Sequence, residues 1–105
     1  NMTIYLQATL ELDYATLPAF LNIVPSMKRI VEGAGWEMIA GLITKIGCAN
    51  TVIHLWKLPD MNAFDLGIQA MAAAPEAGKI YEEICKSGAK ETLIFADAAP
   101  YSPLH

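Results

Sequence analysis

Residues 36–58 read WEMIAGLITKIGCANTVIHLWKL, and the plan of the molecule is held in them. Two runs rich in β-branched and aromatic residues, Trp36–Ile46 and Thr51–Leu58, flank Gly47-Cys48-Ala49-Asn50. A short Gly- and Asn-containing connection between β-rich runs marks a hairpin, because both residues accept the backbone angles of a tight turn. With the turn at Gly47–Asn50, Ile46 faces Thr51, Thr44 pairs with Ile53, and Leu42 with Leu55. One face then collects Trp36, Met38, Ala40, Leu42, Ile53 and Leu55, which is nearly all apolar and is expected to pack on helices. The other collects Glu37, Ile39, Gly41, Ile43 and Lys45 beside Val52, His54, Trp56 and Leu58. Gly41 falls opposite Trp56 in this register and leaves room for the indole.

The flanking segments complete the pattern. Residues 3–12 alternate, with Ile4, Leu6, Ala8, Leu10 and Leu12 on one face and Tyr5, Gln7, Thr9 and Glu11 on the other, as in a half-buried strand. Asp13 is placed to cap a helix with Pro18 near its first turn. Leu17, Phe20, Leu21, Val24, Met27 and Val31 recur at helical spacing, Pro25 is expected to kink that run, and Gly33 and Gly35 to end it. An Ala-rich helix is expected over Met61–Ala74 and, after Pro75, a second over Glu76–Ser87. Glu91–Ala96 reads as a last short strand and residues 97–105 as an irregular tail. The order β-α-β-β-α-β is the ferredoxin-like α+β arrangement, an antiparallel sheet with its second helix broken in two, in a single domain over 1–105.

Composition adds a demand. The chain has 105 residues, 54% hydrophobic and only 17% charged, the latter below the roughly 25% of an average globular protein. Disorder is excluded. Helices on one sheet face leave the other bare, a liability for so apolar a chain, so face-to-face pairing into a homodimer is expected. Seven Lys and Arg, scattered, against eleven Asp and Glu give net −4, which argues against a nucleic-acid partner. No apolar stretch reaches the ~18 residues of a membrane span, and the first residues show no secretory signal, so a cytoplasmic protein is expected. Cys48 and Cys85 are far apart and the only histidines are His54 and His105, so reduced thiols and no metal site are expected.

Tyr5, Gln7 and Thr9 should share the second hairpin face, which then carries Tyr5, Gln7, Glu37, His54 and Trp56 amid aliphatic residues. An apolar concavity with a few polar groups is the usual form of a small-molecule site. His54 is the catalytic candidate, since an imidazole among apolar neighbours moves protons near neutral pH; the competing reading is a structural histidine satisfied by a hydrogen bond. Trp56 either stacks on a ligand ring or fills a dimer core. Tyr5, Gln7 and Glu37 would orient a ligand's polar groups, or are satisfied polar groups of a strand. Tyr81, at helical spacing with Ile80 and Ile84, reads as core. Nothing matches a P-loop, a nucleophile elbow or a dinucleotide fingerprint.

Gly41, Thr44-Lys45-Ile46-Gly47, Asn50 and Val52-Ile53-His54-Leu55-Trp56 resemble the signature of the NIPSNAP family, in which a Gly-containing strand leads through a Gly-x-x-Asn turn into a His-Leu-Trp strand. Leu17-Pro18-Ala19-Phe20-Leu21 and Pro100-Tyr101-Ser102-Pro103 extend the similarity over most of the chain. The resemblance implies a dimeric α+β barrel, two ferredoxin-like sheets closing around a central cavity. The wider superfamily holds cofactor-free monooxygenases of aromatic polyketides, haem-degrading enzymes, lactone isomerases and cyclases. For this chain it implies a hydrophobic or aromatic metabolite bound inside a homodimer, with no cofactor and with oxygenase, isomerase or cyclase chemistry. The alternative is a non-catalytic ligand-binding or interaction module. A haem-degrading barrel needs an iron-binding histidine on a helix, and no predicted helix contains one. Leu58 stands where the family carries an aromatic residue, and Asn62-Ala63-Phe64-Asp65 lacks its Arg. The family's Glu, Arg and Tyr of the first strand fall on Leu6, Ala8 and Leu10, or with a slip on Tyr5, Gln7 and Thr9, so no Arg-based anion site carries over.

Overall fold

Alternation in the first strand and helical spacing in the second segment are both realised. A computed structural model describes residues 3–105; Asn1 and Met2, where the reading for a secretory signal begins, lie outside them. The strands are β1 (Ile4–Glu11), β2 (Glu37–Ile43), β3 (Thr51–Leu58) and β4 (Lys90–Ala96), and the helices α1 (Leu17–Gly33), α2 (Asn62–Ala73) and α3 (Ala77–Lys86). The sheet order is β2-β3-β1-β4 with every neighbouring pair antiparallel. The chain is thus a mixed α+β, ferredoxin-like fold, its second helical segment broken around Pro75 as expected. No helix among the described residues is long and apolar enough to cross a membrane.

Local differences have local causes. α1 runs through Pro25 without a break. Asp13 does not cap α1 with its side chain: a 3-10 turn over Tyr14–Thr16 intervenes, its Thr16 N–H donating to the Asp13 carbonyl. Asp13 instead meets the α3–β4 junction, where its N–H donates to the Ser87 carbonyl at 2.9 Å. Its carboxylate lies where a Cβ on Gly88 (φ +61°) would sit. The hairpin connection is longer than expected, because β2 stops at Ile43 and a loop with Gly47 at φ +105° follows. Asn50 has a structural task there: its side-chain amide donates to the Leu12 carbonyl and ties the hairpin base to the end of β1.

The register changes which face does what. Ile43 pairs with Val52, Leu42 with Ile53 and Gly41 with His54, two residues away from the expected pairing. A bulge then separates Met38 from Ala40, so that Met38 pairs with Trp56. On β1, Leu6 pairs with Trp56, Ala8 with His54 and Leu10 with Val52. The aliphatic set of β1 and the even-numbered residues of β3 therefore share the helix-covered face, where Leu6, Val52 and Leu58 are at most 1% exposed. The sequence reading placed Val52, His54, Trp56 and Leu58 on the opposite face; that assignment is reversed. The discriminating residue is Lys57, which shares parity with Ile53 and Leu55 and would be stranded beneath the helices in the expected arrangement.

Candidate functional site

Three consecutive rungs of side chains on the helix-facing surface frame the site. Trp56, Leu6 and Phe95 form the first, His54, Ala8 and Leu93 the second, and Val52, Leu10 and Glu91 the third. Ala8 puts a methyl group at the centre of the middle rung, and above it the helices do not close. A cavity of about 200 Å³ results, with His54, Trp56, Trp36, Phe64, Tyr81 and Glu91 in its wall.

The aromatic end is built rigidly. The Trp36 indole N–H donates to the Ala63 carbonyl at 2.6 Å. Its ring stacks on Phe64 at 5.7 Å and meets Trp56 edge-on at 5.4 Å, while Phe64 meets Phe95 edge-on at 5.1 Å. The glycine that makes room for an indole is Gly67 on α2, where a Cβ would overlap the Trp36 ring. Gly41 faces His54 rather than Trp56, and a Cβ there would sit at an ordinary 3.7 Å from the imidazole.

His54 is 7% exposed, and among the described residues it makes no hydrogen bond or ion pair. Its one ring contact is the edge of Trp56 at 6.1 Å. Burial holds the imidazole below its ordinary pKa, so at neutral pH it is an uncharged ring with a free acceptor nitrogen. A buried, unpaired imidazole in an apolar wall can take a proton from a bound molecule or donate a hydrogen bond to it. No cluster of His, Cys, Asp or Glu among the described residues is arranged to hold a metal ion.

The other sequence candidates divide. Trp56 lines the cavity with His54. Tyr5, Gln7 and Glu37 do not, because odd-numbered residues of β1 project from the opposite face and the bulge sends Glu37 there as well. Tyr5 is buried by the tail, its hydroxyl donating to the His105 carbonyl at 2.7 Å beside a separate, more polar cavity of about 310 Å³. Gln7 and Glu37 are exposed on the open sheet face, with Lys57 as the cross-strand neighbour of Glu37. Glu91 and Tyr81 in the cavity wall were not foreseen as site residues. The signal was present for Glu91: it interrupts the apolar parity of Leu93 and Phe95 with a charge.

A family model described as NIPSNAP matches residues 5–103. Among solved structures, a NIPSNAP family protein from Agrobacterium tumefaciens superposes with a TM-score of 0.82 at 15% identity, over 98% of this chain and 99% of that one. A second protein from the same organism, described as a NIPSNAP family protein of unknown function, gives 0.81 at 21% identity over 98% and 94%. SnoaB from Streptomyces nogalater, described as a cofactor-independent oxygenase, gives 0.76 at 10% identity over 98% and 99%. At these identities the likeness concerns the fold. No curated protein matches the chain.

Proposed function

The chain belongs to the NIPSNAP family, and from that premise we propose that it binds a compact apolar or aromatic metabolite in the cavity between sheet and helices, with His54 as its proton-moving group. The observation that carries this reading is His54 itself. An imidazole 7% exposed and without a protein partner among the described residues keeps its nitrogens available to a bound molecule, and it lines the cavity. Trp56 would lie along the ligand's ring. His54 would accept a proton from an acidic C–H or O–H of the ligand, the opening step shared by cofactor-independent oxygenation, isomerisation and cyclisation, and such transfers contribute about 10²–10⁴-fold. The chain's likeness in fold to a protein described as a cofactor-independent oxygenase supports that class of chemistry.

The cavity volume of about 200 Å³ falls below the roughly 300–1,000 Å³ of drug-sized sites, so the ligand is monocyclic or bicyclic rather than extended. The same volume favours the second reading, a non-catalytic ligand-binding or interaction module. Two copies are proposed to close through the open sheet faces, in the cytoplasm, where Leu42 is 57% and Ile94 51% exposed beside Ile53 and Leu55. Gln7 and Glu37 then belong to the interface rather than to the ligand site.

The test is turnover of a panel of small phenols, quinols and enolisable ketones by the wild-type chain and His54→Ala. Loss of turnover in the variant, with ligand binding retained, is expected. Unchanged turnover removes His54 from the chemistry, and binding without turnover by the wild type selects the non-catalytic module.

A further inference from the structure

Glu91 stands in the cavity wall with no task in the reading above, on which the following rests. It is on β4 opposite Leu10, and thus on the helix-facing surface with Leu93 and Phe95, while Lys90 pairs with Glu11 on the other face. Its residue is exposed on the solvent side and lines the cavity on the other, which puts it at the mouth together with Tyr81. Among the described residues its carboxylate makes no ion pair or hydrogen bond. No Lys or Arg lines the cavity.

The rungs give the cavity a direction. Trp56 lies at one end, His54 one rung along, and Glu91 on the next. Two strand spacings and one two-residue step separate the Cα atoms of His54 and Glu91, about 12 Å by sheet geometry, and both side chains project into the space between. A ring seated among Trp36, Trp56 and Phe64 would place its substituent past His54 and toward the carboxylate. An anionic substituent would meet an uncompensated negative charge there. A donor would give Glu91 the partner it lacks.

We infer that Glu91 is the specificity-determining residue of this cavity, and that the ligand is a compact apolar molecule whose polar end is a hydrogen-bond donor, an amine or a hydroxyl, to the exclusion of carboxylates and phosphates. Desolvation holds the Glu91 carboxyl above its ordinary pKa with no cation to counter it, consistent with a group awaiting a donor from outside the protein. Aromatic walls suit either source, since an ammonium group also gains from neighbouring ring faces.

The experiment titrates the full chain at pH 7 with four probes that share one ring: toluene, benzylamine, benzyl alcohol and benzoate. Benzylamine and benzyl alcohol are expected to bind more tightly than toluene, and benzoate more weakly. The stronger of the first two identifies the donor as ammonium or hydroxyl. A hydrogen bond to a charged group corresponds to about 10–100-fold in affinity, so Glu91→Gln is expected to weaken benzylamine by that factor and leave toluene unchanged. Glu91→Leu should remove the advantage of the alcohol as well; circular dichroism checks that both variants fold, and Glu91→Gln, the same shape as the native residue, carries the result if the leucine variant does not. Benzoate binding as tightly as benzylamine, or a donor advantage that survives both substitutions, overturns the assignment. If toluene binds and the donors gain nothing over it, the cavity remains a ligand site and only the role of Glu91 falls. If toluene too fails to bind, the site falls and the assignment with it.

Discussion

Replacing His54 by leucine should stabilise the protein while removing its ligand chemistry. The imidazole is 7% exposed, makes no hydrogen bond with the described residues and borders an open cavity. The ring nitrogens are not fully sealed from solvent, so the imidazole carries only part of the roughly 1–3 kcal/mol that a fully buried unsatisfied group costs, and leucine carries none of it. A leucine of comparable bulk meets no obstruction, since Gly41 opposite is without a side chain and the cavity gives room for its branch. A net gain of about 1 kcal/mol corresponds to about 4–8 °C in Tm for a domain of this size. The gain also depends on pH. The folded-state pKa of His54 lies below its ordinary value, so the unfolded chain binds the proton more readily. The wild type therefore keeps its full stability above about pH 6.5 and loses some as the pH falls from there toward the lowered folded value. His54→Leu has no such loss, and the difference between the two should widen on acidification from neutral pH. Thermal denaturation followed by circular dichroism across pH 5–8 measures both effects. A leucine variant less stable than wild type by a kcal/mol or more, or a difference that does not move with pH, would refute an unpaired imidazole and restore a structural histidine.

Two further expectations concern packing and assembly. Gly67→Ala, normally worth about 1 kcal/mol in favour of a helix, is expected to cost about 1–3 kcal/mol here. The Trp36 ring that the new methyl would strike is held by Ala63 and Phe64 and cannot swing aside. Urea unfolding decides it, and a stabilised variant would mean the indole is free to move. Leu42→Asp puts a charge on the open sheet face, in its edge strand β2; light scattering at micromolar concentration should find a dimeric wild type and a monomeric variant, and a wild type that is itself monomeric would dispose of the proposed pairing.

Most of the architecture was legible because its signals are strong and local. The alternation of Ile4 through Leu12, the helical spacing of Leu17 through Val31 and the breaks at Gly35 and Pro75 each fix one element through backbone sterics. β3 matches its expected bounds of Thr51 to Leu58. What local signals do not carry is which face of a doubly apolar hairpin meets the helices. Both parities of β3 are apolar, and the choice falls to the pairing with β1, a contact between residues far apart in the chain. Lys57 was the residue that spoke to it. The candidate site was accordingly half legible. His54 and Trp56 do share a cavity wall, while Tyr5, Gln7 and Glu37 were joined to them by a parity that the sheet reverses. Glu91 was overlooked because a single acid in a short terminal strand reads as solvent-facing until its neighbours across the ladder are known.

The bulge between Met38 and Ala40 reaches beyond its own strand. Upstream of it the even positions of β2 look toward the helices, and downstream the odd positions do, so Ile39 acts as a one-residue phase shifter. Length in this strand is therefore not neutral in the way that loop length is. Removing Ile39 would restore unbroken alternation with Trp36, Met38, Gly41 and Ile43 all still facing the interior, whereas removing a residue elsewhere in the strand while the bulge stays would turn one side of it over. In comparing members of the family, a gap placed at Ile39 leaves the inside and outside of the strand as they are, whereas the same gap placed at Leu42 exchanges them for one half.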